Sequence, residues 1–481
     1  MKRYVTAFFL SLAASSAFAQ NSEISQLGCA TITTPAEIQE VYKYVQERTA
    51  LKTTAGVDTI PLTIHIVGNN NGGGRYQLDY LFKVLCELNT RYAPVNFYFY
   101  VKWPIRYINN SGYYEHDFSG GYWMMNDNNV ANTVNVYFVK DPAGACGYYS
   151  PGAGAVAIKN SCAAPSSTTL VHELGHYFGL PHTFYGWENG GTPSNPEKVT
   201  RSGFNANCSN AGDGFCDTDA DYLADRWNCP YKGVKYDANG DLYHPDSSIY
   251  MSYATDACMT RFSNQQIGRM QNRLYSSYQN LLNSNPPAYS DMSTPNILYP
   301  VDSVHSNFTK VIWNKVPGAE MYHVKISQKL PAVTRQDTVV ADTVFEITYN
   351  MVNDNGYTIQ VAPLNGVNLC RSKMTTKEFT YTNNTTTLTL ANFSPQGSII
   401  RTSPNPVYGN ELKVFLDAMP TGYYKVRLVN ISGQLIAEQS VYNNIGNVTA
   451  SFPLETVSAG LYFVQVQGMA TNWVSKISIV R

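Results

Sequence analysis

The sequence predicts a multidomain protein in which an α+β domain is followed by two β-sandwich modules. The chain has 481 residues, which is too long for one compact core. In its first half, runs of β-branched and aromatic residues alternate with segments of helical spacing, as in mixed α and β domains. From residue 297 onward, short alternating strands recur with turn residues between them, which is typical of β-sandwiches.

The N-terminus has the features of a secretory signal peptide. Lys2 and Arg3 precede a short apolar run, and the small-residue pattern A-F-A at 17–19 supplies a cleavage site. The run is too short to span a bilayer, and no later segment is long and apolar enough to do so. We therefore expect a signal peptide over 1–19 and an exported protein without a transmembrane segment.

Changes in composition divide the rest of the chain. A stretch rich in Pro, Ser and Asn marks a linker at 285–296. It separates the α+β domain, expected over 58–284, from a first β module over 297–383 and a second over 398–481. The formal net charge is −1 and charged residues are only 14%, so nothing predicts a nucleic-acid or anionic-membrane partner.

The stretch "LVHELGHYFGLPH" carries three of the chain's eight histidines. On a helix, His172 and His176 lie one turn apart on the same face, so both can reach one metal ion. Glu173 lies beside them, rotated away from direct ligation, where it can hold a water molecule. Gly179 can end the helix in the left-handed conformation, which lets His182 return as a third ligand. Surface histidines on an amphipathic helix are the alternative, but the many coinciding positions speak against it.

The spacing H-E-x-x-H-x-x-G-x-x-H resembles the metzincin zinc metallopeptidases, whose second mark is a methionine turn downstream. Met251 in "SIYMSYATDACM" matches that turn. Together with "GDGFCDTDAD" and "FSNQQIGRM", these motifs resemble the pappalysin (cytophagalysin) family over roughly residues 60–282. The resemblance implies a metzincin-like catalytic domain with a twisted mixed sheet, an active-site helix and a methionine turn.

The resemblance also implies a role for each residue of the site. The three histidines would bind one catalytic zinc ion and leave a position open for water. Glu173 would act as general base and acid on the zinc-activated water. Tyr253 would stabilise the tetrahedral oxyanion, with a merely packed tyrosine as the alternative. Met251 would pack beneath the metal without binding it.

Members of this family also carry calcium near a G-D-x-x-x-D-T segment. By resemblance, Asp213, Asp217 and Asp219 would supply hard oxygen ligands together with loop carbonyls. Asp219 stands where the family usually has proline, so it either adds a ligand or alters the loop. We expect this calcium to be structural.

Nine cysteines in an exported protein are disulfide candidates, and the odd number leaves at least one unpaired. Cys146 and Cys162 flank a short glycine-rich stretch and are one candidate pair. Four more cysteines cluster after the histidine motif, where the sequence alone allows three pairings. The family resemblance implies one of these pairings: Cys208 with Cys229, and Cys216 with Cys258.

Cys29 lies in a pro-segment that we expect over 20–57. In the family, such a segment carries a cysteine that occupies the open position on zinc and keeps the enzyme latent. Here Ala30 replaces the usual glycine, and the usual preceding arginine is absent. A latency switch and an ordinary free or paired cysteine are both open.

The two later regions resemble known β modules. The segment that contains Trp313, Tyr322 and Tyr357 resembles a fibronectin type III module, for which spacer and substrate-docking roles are both open. Residues 398–481 resemble the C-terminal sorting domain of type IX secretion substrates. That resemblance implies the type IX machinery as a partner and a protein that is secreted or attached to the cell surface.

The function expected is that of a secreted zinc metalloendopeptidase acting on protein or peptide substrates. The alternative is a surface adhesin whose peptidase-like domain binds ligands without catalysis. Such a relative would be expected to have lost Glu173 or a ligand histidine, and both are intact. A purely structural zinc domain is disfavoured because three ligands leave the open position that catalysis needs.

Overall fold

The computed structural model of the protein describes residues 28–47, 56–282, 285–301, 304–305, 308–370, 373–382, 397–444, 446–468 and 471–481. The expected signal peptide lies outside these residues. Two compact units divide the chain: Met1–Ser303, Thr309–Tyr349 and Gly356–Phe379 form the first, and Val304–Phe308, Asn350–Asn355 and Thr380–Arg481 form the second. Within the described ranges, no helix combines the length and the apolar character that crossing a membrane requires.

Helices and strands alternate through the described part of the first domain. The helices are α1 (Pro35–Glu47), α2 (Leu78–Tyr92), α3 (Ser111–Tyr114), α4 (Phe118–Asn128), α5 (Thr169–Tyr177), α6 (Asn264–Ser277) and α7 (Gln279–Leu282). The strands are β1 (Asp58–Gly68), β2 (Phe97–Val101), β3 (Arg106–Asn109), β4 (Glu115–His116), β5 (Val134–Val139), β6 (Asp141–Pro142), β7 (Gly147–Ser150) and β8 (Ala155–Lys159). Short 3-10 helices lie at Ala93–Val95, Asn160–Cys162 and Cys208–Asn210.

The mixed sheet expected for this domain is present. Its strands run in the order β2-β1-β5-β8-β7, with β3 also paired to β1. All these pairs are parallel except β7 with β8, which leaves β7 as an antiparallel edge strand. Strand β1 is buried along nearly its whole length, which explains its almost continuous apolar sequence. Helix α2 packs on the sheet through a stripe of buried leucines at positions 81, 85 and 88.

Helix α5 carries the histidine motif and ends where the sequence predicts. Gly179 has a φ of +85°, the left-handed conformation that glycine adopts without steric cost. Its amide donates to the carbonyl of His176 at 2.9 Å, and the Leu180 amide donates to the carbonyl of Gly175 at 3.0 Å. These paired bonds form a Schellman motif, which reverses the chain and brings His182 back towards the helix.

Helix α6 begins with a capping box. The Gln266 amide donates to the Ser263 hydroxyl at 3.1 Å, and the Ser263 amide donates to the Gln266 side chain at 3.0 Å. Met270 and Leu274 of this helix are fully buried in the core that also receives α5. The start of α6 is thereby fixed beside the histidine motif.

The described chain contains four disulfides: Cys86–Cys370, Cys146–Cys162, Cys208–Cys216 and Cys229–Cys258. The expected Cys146–Cys162 bond is therefore present. The other pairing implied by the family, Cys208 with Cys229 and Cys216 with Cys258, is wrong here. Neighbours pair instead, because the loop after Cys208 turns at Gly212 (φ +55°) and returns the chain within disulfide reach, with the Cα atoms of the first pair 5.1 Å apart.

The first β module is a sandwich of two sheets. Its strands are β9 (Ile297–Tyr299), β10 (Val304–His305), β11 (Lys310–Trp313), β12 (Met321–Gln328), β13 (Val333–Val340), β14 (Val344–Glu346), β15 (Asn355–Leu364) and β16 (Thr375–Tyr381). One sheet has the order β14-β11-β9, and the other contains β16-β15-β12-β13. Trp313, Tyr322 and Tyr357, which carried the fibronectin type III resemblance, are all buried.

This module is fixed to the first domain rather than joined to it only by a spacer. Cys370 forms a disulfide with Cys86 of α2, a link that the cysteine spacing did not predict. At the start of the same helix, the Leu78 amide donates to Asp337 of β13 at 3.2 Å. Leu364 of β15 belongs to the same buried cluster as the sheet of the first domain. The module and the first domain therefore share one core.

The second unit contains a separate β-sandwich. Its strands are β17 (Ile399–Ser403), β18 (Glu411–Asp417), β19 (Gly422–Asn430), β20 (Leu435–Asn443), β21 (Val448–Pro453), β22 (Gly460–Gly468) and β23 (Thr471–Ile479). They form sheets of order β17-β18-β21 and β20-β19-β22-β23 around their own apolar cluster. Two sandwich modules after an α+β domain are what the sequence predicts.

Candidate active site

The three histidines of the motif converge through their Nε2 atoms. Those of His172 and His182 each lie 3.1 Å from Nε2 of His176, and all three side chains are buried. Nδ1 of His172 bonds to the carbonyl of Tyr250 at 2.6 Å, and Nδ1 of His176 bonds to the carbonyl of Leu180 at 2.7 Å. A carbonyl only accepts, so these two rings carry their proton on Nδ1 and present an Nε2 lone pair to the centre.

This arrangement fits a zinc ion. An ion about 2.0–2.1 Å from tetrahedral nitrogen ligands holds those nitrogens roughly 3.3–3.4 Å apart, close to the spacing observed. Burial lowers the pKa of His172 to about 4, and it also lowers the pKa values of His176 and His182. Metal binding requires neutral imidazoles, and these three are neutral at pH 7. Lone pairs that face one another with no donor between them favour a cation at their centre.

Glu173 lies next to the histidine cluster and is fully buried. Its Oε2 accepts a hydrogen bond from the Thr31 hydroxyl at 2.9 Å, while Oε1 has no hydrogen-bond partner among the described residues. Burial raises the pKa of this carboxyl to about 8. A Cβ on Gly147 of β7 would lie 3.0 Å from Oε1, so glycine there leaves the room that the carboxylate occupies.

Cys29 joins the same cluster from the segment that precedes α1. Its Sγ and the three histidine nitrogens all lie within 4.8 Å of one another. Among the described residues, these four side chains are the group placed to hold a metal ion. The thiol also donates to Glu173 at 3.4 Å. The Ala30 amide donates to the carbonyl of Gly147 at 3.0 Å, so the segment runs along edge strand β7. Sequence reasoning singled out Cys29 but missed Thr31.

Tyr253 and Met251 lie on the turn beneath the histidines. The turn is closed by the Ser252 amide, which donates to the carbonyl of Ile249 at 3.2 Å. The Tyr253 hydroxyl donates to the carbonyl of Cys29 at 2.7 Å, so it reaches the site. Met251 is fully buried, and a Cβ on Gly175 of α5 would lie only 2.5 Å from its sulfur. Glycine inside the helical motif therefore lets the turn pack against α5.

The three aspartates expected to bind calcium are not brought together as one ligand set. Asp213 is fully buried, and burial raises its pKa to about 7. Asp217 instead accepts from the Ser263 hydroxyl at 2.7 Å and from the Gln265 amide at 2.8 Å, at the start of α6. Asp219 lies exposed at the surface, where partial desolvation still raises its pKa.

Glu197, which sequence reasoning missed, is a buried carboxylate near Asp213. Burial raises the pKa of Glu197, and the negative charge of Asp213 raises it further. Arg201 lies 2.8 Å from Oε1, while Oε2 has no hydrogen-bond partner among the described residues. No local pattern in the sequence marks Glu197, because the neighbouring carboxylate, Asp213, lies beyond the intervening loop.

Asp221 was also missed, and it joins the two loops that carry the site. It accepts from the Thr183 hydroxyl at 2.7 Å, next to the third histidine, and from the Ser252 hydroxyl at 3.4 Å on the methionine turn. Burial raises its pKa to about 6. The signal available in the sequence was only an extra aspartate in an acidic loop.

Comparisons with known proteins agree with this geometry. The model of the peptidase M43 family, described as pregnancy-associated plasma protein-A, matches residues 149–275, which contain the histidines, Glu173 and the methionine turn. This match agrees with the resemblance of the region to the pappalysin family. An extracellular metalloprotease of Colletotrichum graminicola is 27% identical over 304 residues, which cover 56% of this chain and 95% of that protein. Extracellular metalloprotease 1 of Coccidioides posadasii is 29% identical over 217 residues, 38% of this chain and 64% of that protein.

The regions beyond residues 149–275 have their own matches. The model of the secretion-system C-terminal sorting domain matches residues 403–480. That domain indicates type IX export, so the protein is secreted or attached to the cell surface. A two-domain fibronectin type III segment of chicken tenascin aligns with 39% of this chain and 98% of its own, at 14% identity and a TM-score of 0.15. A score that low carries no argument about the fold of the module.

Proposed function

We propose that this protein is a secreted zinc-dependent metalloendopeptidase that its own pro-segment holds latent. The observation that carries the proposal is the convergence of three neutral imidazoles, with the Nε2 atoms of two of them 3.1 Å from that of His176, beside the buried carboxylate of Glu173. The side of the cluster that the histidines leave open faces Cys29. An open side next to a base is what hydrolysis needs and what a structural zinc site lacks.

In this proposal, the histidines, Glu173 and Tyr253 together hydrolyse a peptide bond. When bound by the three imidazoles, zinc lowers the pKa of water towards neutrality and polarises the scissile carbonyl. Glu173, released from Cys29 and Thr31, takes a proton from the attacking water as the new carbon–oxygen bond forms. It then passes that proton to the amine nitrogen as the carbon–nitrogen bond breaks. The Tyr253 hydroxyl, released from the carbonyl of Cys29, donates to the developing oxyanion.

Latency in this proposal depends on Cys29. In the metal-free pocket, burial and the charge of Glu173 raise the pKa of the thiol, whereas a bound zinc ion would favour the thiolate. The Thr31 amide, which donates to Cys29 Sγ at 3.3 Å, favours the thiolate as well. While the segment is in place, water is kept from the open side and the base is engaged. Removal of the segment frees both.

We also propose a structural calcium ion beside Asp213 and Glu197. Calcium prefers hard oxygen ligands, and Oε2 of Glu197 is a buried carboxylate oxygen without a hydrogen-bond partner in the described chain. Asp217 acts in this proposal as a cap for α6. Asp219, which is exposed, is a candidate for a ligand from the edge of the site.

The decisive experiment is cleavage profiling of a proteome with the processed protein, with and without a zinc chelator. Glu173→Ala is the inactive variant, and Glu87→Ala, on the exposed face of α2, is the matched control. We expect cleavage by the wild type and the control, none after chelation, and a loss of several orders of magnitude in Glu173→Ala with zinc still bound. Equal cleavage by Glu173→Ala would contradict the mechanism, and an inactive, zinc-bound wild type would favour the adhesin alternative.

A further inference from the structure

The three zinc-facing histidines are not held in the same way. His172 and His176 each bond through Nδ1 to a backbone carbonyl, at 2.6 and 2.7 Å. His182 is 98% buried, yet its Nδ1 has no hydrogen-bond partner among the described residues. The charged group that approaches it is Glu188, whose Oε1 lies 3.5 Å from that nitrogen.

A zinc ligand needs an acceptor at this position. A histidine that binds metal through Nε2 carries its proton on Nδ1, and metal-bound histidines in proteins almost always donate that proton to a carboxylate, a carbonyl or water. For His172 and His176 the backbone supplies the acceptor. For His182, the only histidine of the three outside a helix, the observed geometry leaves Glu188 to supply it.

The loop after the motif fixes the position of Glu188. The Trp187 amide donates to the carbonyl of Phe184 at 3.0 Å, which closes a tight turn. The Gly186 amide then donates to Oε2 of Glu188 at 2.6 Å, so one carboxylate oxygen is anchored while the other faces His182. Trp187 is buried, and the ammonium of Lys235 lies 3.8 Å from its ring centre. The side chain of Glu188 is 31% exposed, although the residue as a whole lies at the surface.

We propose that Glu188 is the positioning residue for the third zinc ligand. Its carboxylate accepts a hydrogen bond from Nδ1 of His182 and so fixes the ring with Nε2 facing the ion. The negative charge of the carboxylate also makes Nε2 a stronger electron-pair donor to the metal. Three neutral imidazoles leave the ion's charge uncompensated once the thiol of Cys29 is gone. The carboxylate of Glu188, on the far side of the His182 imidazole from the ion, offsets part of that charge without taking up the open position. This role rests on the proposed zinc peptidase.

The test measures zinc retention rather than activity. Full-length wild type, Glu188→Ala, Glu188→Gln and the control Glu87→Ala are loaded with zinc, and metal loss to a chromogenic chelator is followed over time. We expect Glu188→Ala to lose affinity about 10–100-fold, the range observed when such outer partners are removed. Glu188→Gln keeps a carbonyl acceptor without the charge, so we expect it to restore part of the loss. Glu87→Ala should match the wild type.

A spectroscopic readout separates positioning from a general loss of stability. Cobalt replaces zinc in each protein, and the visible absorption of the cobalt ion reports its ligand geometry. We expect a shifted spectrum in Glu188→Ala and a smaller shift in Glu188→Gln, at temperatures where both remain folded. If zinc retention and the cobalt spectrum of both variants match the wild type, Glu188 has no such role, although the three-histidine site stands. If the wild type binds no zinc, the proposed function fails as well.

Discussion

The thiol of Cys29 lies 3.4 Å from Oε2 of Glu173, although 144 residues separate them in the chain. The same carboxylate oxygen accepts from the hydroxyl of Thr31 at 2.9 Å. The segment that carries Cys29 and Thr31 therefore engages the candidate base and the open side of the histidine cluster at once. A segment that only covered the cleft would leave Glu173 free to act on water that leaked in.

Replacing Cys29 by alanine should hasten maturation. The variant loses the sulfur that faces the histidines and one contact with Glu173, so we expect the shorter, processed form several-fold earlier than in wild type. A time course on denaturing gels measures it, with Glu173→Ala in the same background to show that processing is autocatalytic. Thr31→Val, which removes only the hydroxyl, should have a smaller effect. An unchanged maturation rate in Cys29→Ala would remove the latency proposal.

Removing the Tyr253 hydroxyl should slow the chemical step. Tyr253→Phe loses a donor to the developing oxyanion, and loss of one such donor costs about 10²–10³-fold in kcat. We expect KM to change little, because the donor acts on the transition state more than on bound substrate. Tyr250→Phe is the control, since Tyr250 holds His172 through its backbone carbonyl, which the variant keeps. A wild-type kcat in Tyr253→Phe would leave Tyr253 as a packing residue.

Calcium-free protein should become less stable as the pH rises through neutrality. Burial raises the pKa of Asp213 to about 7 and raises that of Glu197 as well, whereas an unfolded aspartate titrates near about 3.9. Between those values the folded state holds protons that the unfolded state has released, so the free energy of unfolding falls with rising pH. Added calcium, which needs the ionised carboxylates, should restore Tm at pH 7.5.

Two variants separate the calcium site from the helix cap. Glu197→Gln should flatten the pH dependence of Tm and weaken the response to calcium. Asp217→Asn weakens the cap of α6, so it should lower stability by about 1 kcal/mol without changing the calcium response. Thermal unfolding in chelator and in calcium, from pH 5 to 8, measures both. A calcium response lost in Asp217→Asn and kept in Glu197→Gln would reverse the assignment.

The disulfide between Cys86 and Cys370 should stabilise the first domain as well as the β module. Its removal in a Cys86→Ser, Cys370→Ser double variant frees a long loop in the unfolded chain and should cost about 2–5 kcal/mol. Denaturant unfolding followed by tryptophan fluorescence measures it, and reduced wild type serves as a comparison. If the double variant unfolds at the wild-type denaturant concentration, the two parts are held by their shared core alone.

Several features were predictable because their geometry is local. His172 and His176 face one ion because four residues make about one helical turn. Gly179 ends that helix because a left-handed residue is needed there, and its φ of +85° meets the expectation. The alternating helices and strands of the first domain and the two sandwiches followed from apolar periodicity, which depends only on near neighbours along the chain. The mixed sheet was implied by the family resemblance.

Other features had no local signal. Glu197 and Asp221 are ordinary acidic residues in the sequence, and only the fold buries them beside Asp213 and the methionine turn. The pairing of Cys208 with Cys216 depended on how one loop turns, so the pairing carried over from the family was wrong.

The sequence by itself determined the residues of the candidate site: two histidines and a glutamate at helical spacing, a third histidine beyond the glycine that ends the helix, and a downstream methionine turn, with a C-terminal sorting domain later in the chain. Only the tertiary structure decided which other residues contact that site. It brought Cys29 to Glu173, the sulfur of Met251 to Gly175, and Glu188 to within 3.5 Å of His182. The physical reason is range: backbone periodicity and turn preferences act over a few residues, whereas burial and hydrogen bonding act between whichever groups the packed core brings together.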